Sequence, residues 1–266
     1  MITKRVQELE YLASPLLTTP HGFSTRLGGV SEGHLASLNL GCHRGDRDEN
    51  LRENYRRFCA AIGADDKRLV MTRQVHKAEV RAVTQADIKA DLLDEVPFEA
   101  DGLTTDLPGI ALFVFSADCI PILFFDPVKK AVGACHAGWR GTAGAIAKVT
   151  VEAMQERYGC KAEDIRAAIG PGIGRCCFET HNDVPQAMEA ALGDLARPYM
   201  TPIGEKWQVD LKAINRAVLM AAGVQAKHID VSGECTCCQH ERFWSHRYTG
   251  GLRGSQAAAV MLEGAP

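Results

Sequence analysis

Three residues have the types needed for a reactive or metal-binding site: His76 in TRQVHKAEV, Cys119 in FSADCIPILF and His136 in GACHAGWRGT. Imidazole and thiolate are natural zinc ligands. Three of them leave a fourth position for water or substrate, the pattern of an open catalytic site rather than a closed structural one. The residues are too far apart in sequence to match any short zinc motif. A second chemistry uses the same residues, with Cys119 as thiolate nucleophile and His136 as its base. A third, ordinary reading leaves Cys119 as a small buried apolar side chain and the histidines as hydrogen-bonded core residues.

The elements that must position them alternate between helical and strand-like patterning. Asp48–Gly63 is predicted to be a helix, with Leu51, Tyr55, Phe58, Cys59 and Ile62 on one face, Asp48 capping its start and Gly63 stopping its end. Further helices are predicted over Thr142–Tyr158 and Asp210–Gly223, the latter capped by Asp210, with a weaker one over Asp183–Leu192. Strand-like runs cover Val80–Val83, Ile110–Phe115, Ile120–Phe125, Ala131–Cys135, Ile165–Ile169, His228–Val231 and Ala257–Leu262. The runs IALFVFSAD, IPILFFDP and AVGACHAGW read as a β-meander inside a sheet. No linker or fixed-period repeat interrupts the pattern, so a single domain over 1–266 with mixed α and β structure is expected.

Composition narrows the function classes. The chain has 266 residues, 46% hydrophobic and 24% charged, an ordinary globular balance. A net charge of −3 gives no general pull towards nucleic acid or acidic lipid, so neither is expected as a partner. The longest apolar stretch, Gly109–Phe125, is interrupted by Asp118 and is too short to span a bilayer. The N-terminal MITKRVQELEYL lacks the apolar core of a secretion signal, so a cytoplasmic location is expected. Ten cysteines are then reduced thiols, metal ligands or catalytic groups. Cys235-x-x-Cys238, with Cys237 between and His240 nearby, supplies one half of a zinc knuckle. The adjacent Cys176 and Cys177 would complete it only through a long-range approach, so reduced structural thiols are the expectation there.

The segments GFSTRLGGVS, SLNLGCHRGD, TRQVH, ADGLTTDLPGIAL, SADCIPILFFDP, HAGWRGTAGAI, IGPGIGRCCFE, VDLKAINRAVLMAAGV and CTCC…FWSHR occur in this order. Over roughly residues 20 to 262 the chain resembles the laccase-domain family. That family is also called peptidoglycan editing factor, multicopper polyphenol oxidase and purine nucleoside phosphorylase. The resemblance implies zinc held by His76, Cys119 and His136. It also implies an α+β sandwich with mixed sheets flanked by helices, akin to the catalytic domain of cytotoxic necrotizing factor toxins. The implied activities are phosphorolysis of adenosine, inosine, guanosine and methylthioadenosine, and adenosine deamination.

Those reactions assign work to further residues. Deamination uses a hydroxide generated at zinc and an acid for the departing ammonia, for which Asp118 and Asp101 are candidates. Phosphorolysis needs cations for the phosphate, and Arg140, in the GWRGT turn at the start of a helix, leads Arg26 and Arg247. Asn39 and Gln74 are candidates to hydrogen-bond the nucleoside. Trp139, Phe243 and Trp244 either stack on the purine or pack in the core. The sequence departs from the family pattern at Lys77, where glycine is usual, and at Tyr248, where a second arginine is usual after Arg247.

The oxidase name is tested by the histidines. A laccase-type copper cluster needs many, typically as His-x-His pairs, and this chain has nine and no such pair. A single copper in place of zinc at the same three ligands stays open. So do a peptidoglycan-precursor hydrolase working through Cys119 and His136, and a non-enzymatic, metal-stabilised interaction module.

Overall fold

The long apolar runs are buried on both faces because they lie in two stacked sheets with helices outside each. The computed structural model describes residues 1–264. The first sheet has the order β1 (Ile2–Val6), β2 (Leu9–Ala13), β3 (His21–Ser24), β15 (Gln256–Val260), β7 (Ala111–Ser116), β4 (Leu69–Val70). Its last pair is parallel and the others antiparallel. The second has the order β14 (Ile229–Val231), β10 (Arg166–Ile169), β8 (Ile120–Asp126), β9 (Ala131–Ala137), β6 (Gly102–Thr105), β5 (Val80–Ala82). Parallel pairs at both of its edges flank an antiparallel centre. A small sheet of β11 (Glu179–Thr180), β13 (Lys206–Val209) and β12 (Met200–Ile203) lies apart. The result is the mixed α+β arrangement with mixed sheets that the sequence implies.

Period-two alternation sorts each strand's side chains between two cores. In β7, Leu112 and Val114 enter the layer between the sheets, while Ala111 and Phe113 face α1 (Asp48–Ile62) through Tyr55 and Phe58. In β8, Leu123 and Phe125 face the other sheet. Its Ile120, Ile122 and Phe124 pack with α3 (Ile146–Tyr158), α4 (Asp183–Leu192) and α5 (Leu211–Ala221). Each fully buried side chain of this size contributes about 1.5–3 kcal/mol. The caps of α1 and α5 follow their sequence cues in part. Asp210 accepts from Ala213 N at 3.0 Å, and Gly63 ends α1 at φ 78°, but Asp48 is the first helical residue and Arg47 precedes it without a side-chain cap.

Two expectations are corrected. The three central apolar runs are not a meander: β7 belongs to the first sheet, and β8 and β9 form a hairpin in the second. The chain changes sheets at Ala117–Cys119, where Asp118 adopts φ 87°. Apolar side chains on both faces look alike in sequence whichever sheet a strand joins. The helix over Thr142–Tyr158 is interrupted at Ala145, in the left-handed region at φ 54°, giving a short α2 (Trp139–Ala143) before α3. No helix among the described residues is long and apolar enough to cross a membrane.

Candidate metal centre and its cavity

His76 lies on the connection from β4 to β5, Cys119 on that from β7 to β8, and His136 near the end of β9. Both connections pass from the first sheet to the second. They bring one ligand atom of each residue within 4.8 Å of the others. The two imidazoles meet edge to face, with centroids 4.8 Å apart.

Asp101, fully buried just before β6, organises this group. Its carboxylate accepts from the backbone N–H groups of Val75 at 3.1 Å, His76 at 3.0 Å and Lys77 at 2.8 Å. Three successive donors converging on one carboxylate hold His76 at its unusual φ of 60°. The same carboxylate takes Nδ1 of His136 at 2.9 Å, leaving the other ring nitrogen for Cys119. A ring held this way is oriented as metal-ligating histidines are.

Electrostatics favour the ligating thiolate at Cys119 and, in the absence of a metal, a shared proton on His136. Burial alone would push the Cys119 thiol up, but His136, and to a lesser degree His76, bring it down to about 6. Burial opposes charge on His136, while the Cys119 thiolate and Asp101 raise it to about 9. Cys119 and His136 therefore form a thiolate–imidazolium pair, in which a metal cation can replace the proton between them. Gly138 keeps the space beside them clear: a Cβ there would stand 3.0 Å from His76 Cδ2 and 3.1 Å from Cys119 Sγ. The donor set and this cradle fit a zinc or copper ion.

The three residues line a cavity of about 530 Å³, within the range of small-molecule sites. Four cations, Arg44, Arg73, Lys89 and Arg253, line it against one acid, Glu95. Arg73 is paired with Glu99 at 3.0 Å, and Lys89 donates to Leu92 O at 2.6 Å. Arg253 is different. Burial and the neighbouring Arg44 push its guanidinium down to about 10, and its Nε is buried with no hydrogen-bond partner among the described residues. Asn39 brings the two arginine-bearing segments together, since its Oδ1 accepts from both Gly41 N at 2.9 Å and Ser255 N at 3.0 Å.

Most of the other candidates from sequence stand outside the cavity wall. Arg140 is exposed and stacks on Trp139 at 4.1 Å, and the five-residue α2 that carries it offers no extended helix start for an anion. Arg26 donates to Ala36 O and His240 O and lies over Trp244 at 4.0 Å. Arg247 donates to Cys177 O and Glu179 O. Asp118 spends both oxygens on Thr236 Oγ1 at 2.7 Å and Arg247 N at 2.6 Å, so it props Cys119 from behind. Gln74 does line the cavity, but its amide is committed to the backbone of Phe115. Phe243 and Trp244 are core residues. Lys77 turns to Glu79 and Glu99, and Tyr248 stacks on His240.

Arg44 and Arg253 were missed from sequence. Their signals, CHRGD and GLRGS, place an arginine before glycine like many surface turns, and nothing local shows that Asn39 joins them. The long-range approach that would join the cysteines is present: Cys176 and Cys177, free thiols, reach Cys235 and Cys238, all within 4.8 Å.

Comparisons with known proteins identify relatives of the whole chain. The family model described as multi-copper polyphenol oxidoreductase laccase matches residues 20–263. A Geobacillus stearothermophilus protein named purine nucleoside phosphorylase YlmD is 39% identical over 252 residues, 93% of this chain and 92% of that protein. A protein of an unknown prokaryotic organism named adenosine deaminase RL5 is 38% identical, covering 86% of this chain and 88% of its own length. The crystal structure of Bacillus licheniformis hypothetical protein YfiH superposes with a TM-score of 0.90 at 32% identity, over 98% of this chain and 99% of that one. With sequence and fold matched along nearly its whole length, the chain belongs to the multi-copper polyphenol oxidoreductase laccase family.

Proposed function

We propose that the chain is a zinc-dependent purine nucleoside phosphorylase that also deaminates adenosine, with zinc on His76, Cys119 and His136 and phosphate on Arg44 and Arg253. The carrying observation is that one cavity holds both the metal-capable group and a largely buried arginine with an unpartnered nitrogen. A dianion there would offset the burial and repulsion that weaken the guanidinium charge. The names of the YlmD and RL5 relatives support the same two activities.

In phosphorolysis a phosphate oxygen bonds to C1′ as the C1′–N9 bond breaks, giving free purine and ribose 1-phosphate. The arginine pair holds the phosphate charge, and Ser255, bonded to Arg253 at 2.9 Å, and Ser116, whose Oγ has no partner among the described residues, supply hydroxyls beside it. Phe115, Met71 and Val96 form an apolar wall suited to a purine. Bound zinc supplies Lewis acidity at its open position. Asp101 keeps His136 and the His76 loop in register for it. Ligands drawn from connections between both sheets fit a reading of the chain as one catalytic domain.

A second reading, copper on the same three ligands, is favoured by the family description and by the thiolate and imidazole donors. The deciding experiment incubates the metal-quantified protein with adenosine and phosphate and separates the products, with Cys119→Ala prepared identically. Adenine with ribose 1-phosphate supports phosphorolysis, and inosine supports deamination. Absence of both from a zinc-loaded protein, or equal turnover in Cys119→Ala, refutes the nucleoside reading and moves peptidoglycan-precursor hydrolysis by Cys119 and His136 to the front.

A further inference from the structure

We propose that Cys176, Cys177, Cys235 and Cys238 bind a second zinc ion as a closed tetrathiolate site, independent of the reaction proposed above. The four Sγ atoms lie within 4.8 Å of one another, with Cys238 at 3.5 Å from Cys176 and 3.4 Å from Cys177. Zinc–thiolate bonds of about 2.3 Å in a tetrahedron set sulfur–sulfur edges of about 3.8 Å, so small side-chain rotations complete the geometry. The sulfurs do not sort into two pairs. Cys238 approaches both adjacent cysteines about equally, whereas a disulfide would single out one partner at about 2.05 Å.

The backbone is arranged for this cluster. Gly172 and Cys235 form a parallel bridge that draws the two segments together. Gly174 then passes so close that a Cβ would stand 3.1 Å from Cys176 Sγ and 3.3 Å from Cys235 Sγ. The N–H groups of Gly174, at 3.1 Å, and Cys238, at 3.5 Å, point at Cys235 Sγ, donors that favour a thiolate there. A zinc ion with four thiolates carries net negative charge. The buried ammonium of Lys212, which donates to Ser232 O and Glu234 O, lies within Coulombic reach of Cys235 and Cys176 and offsets part of it.

Four protein ligands leave no open position, so this ion is a clip rather than a reagent. It would join the connection after β10 to the loop after β14. The second of these holds Thr236 and leads to Arg247, the two residues that fix the Asp118 carboxylate next to Cys119. Arg247 also reaches back to Cys177 O at 2.8 Å. The clip therefore stiffens the support of one candidate ligand of the first site without touching the cavity.

The test uses the full chain purified under reducing conditions, stripped with a chelator and titrated with Co²⁺ and then Zn²⁺. Wild type, Cys119→Ser and Cys238→Ser are compared. Cys119→Ser is expected to bind cobalt with the strong visible bands of tetrahedral geometry and the near-ultraviolet charge transfer of a tetrathiolate, both erased by zinc. Cys238→Ser is expected to hold one equivalent less metal than wild type. Because Cys119→Ser keeps the whole cluster, its spectrum decides the matter even if Cys238→Ser does not fold. A Cys119→Ser protein without sulfur-to-cobalt charge transfer overturns the proposal, as does an intact mass showing a disulfide among the four after reducing purification. Neither result depends on nucleoside turnover.

Discussion

Asp101 and His136 form a fully buried carboxylate–imidazole pair, Oδ1 to Nδ1 at 2.9 Å, and the same carboxylate gathers three backbone N–H groups of the loop that carries His76. One side chain thus orients one candidate ligand and places another. Asp101→Asn keeps the shape but turns an acceptor into a donor facing N–H groups. Metal affinity is expected to fall about 10–100-fold, with stability lowered by about 1–3 kcal/mol. Competition with a chromophoric chelator and a thermal melt measure the two effects. Unchanged affinity would show that His136 is held by other contacts.

Arg253 and Arg44 are the pair on which the phosphate proposal stands. Charge-assisted hydrogen bonds contribute about 1.5–3 kcal/mol, so Arg253→Ala should raise the KM for phosphate about tenfold to hundredfold. Adenosine deamination, which uses no phosphate, should change little, and Arg140→Ala should leave both reactions unaltered. A phosphate KM that responds to Arg140 and not to Arg253 would restore the reading made from sequence.

Gly138 offers a steric test that leaves every ligand in place. Its backbone, at φ −64° and ψ 172°, suits any residue, so alanine introduces only the clash with His76 and Cys119. Gly138→Ala is expected to fold with a metal-free melting temperature close to that of the parent chain, and to lose bound metal at the His76, Cys119 and His136 group. Full metal content at that group would mean that the cradle is wider than the apposed atoms indicate.

His21 should give the fold an acid sensitivity far from the site. Burial holds its pKa below the usual histidine value, and the neutral ring accepts from Ser14 N at 2.8 Å while its Nδ1 meets Thr19 O at 2.8 Å. Unfolded histidine titrates near about 6.5, so below that pH the unfolded chain binds a proton that the folded chain resists. The contribution is complete above about pH 6.5 and is lost as pH falls from there through the lower folded value. Thermal melts from pH 7.5 to 5 should show a steeper decline for the parent chain than for His21→Gln. Parallel declines would assign the acid sensitivity to other groups.

Residue chemistry and the specific family context singled out His76, Cys119 and His136, which the fold brings within 4.8 Å of one another, even though spacing alone could not join them. Asp101 was legible as an acid near the site, but its role depends on where the β4–β5 loop folds back, which no local pattern encodes. The arginines that line the cavity were not legible for a related reason. Arg140 sits in the more suggestive motif, yet a left-handed Ala145 breaks the helix behind it, and Trp139 draws its guanidinium outward. Arg44 and Arg253 become neighbours only through Asn39, whose hydrogen bonds link segments more than two hundred residues apart. Strand existence was readable from apolar runs, but the partition of β7 and β8 between sheets was not, since both are buried on two faces.

The passage of the chain from one sheet to the other at His76 and again at Cys119 also sets the order of assembly. The β8–β9 hairpin, which pairs Ile120 with Ala137, brings Cys119 beside His136, but no local turn among the described residues joins His76 to them, so the complete group waits until the β4–β5 connection has packed against that hairpin. Before that point only two of the three donors stand together. Completion of this candidate metal group is accordingly a late event, and the chain should reach its native architecture before all three donors can share an ion.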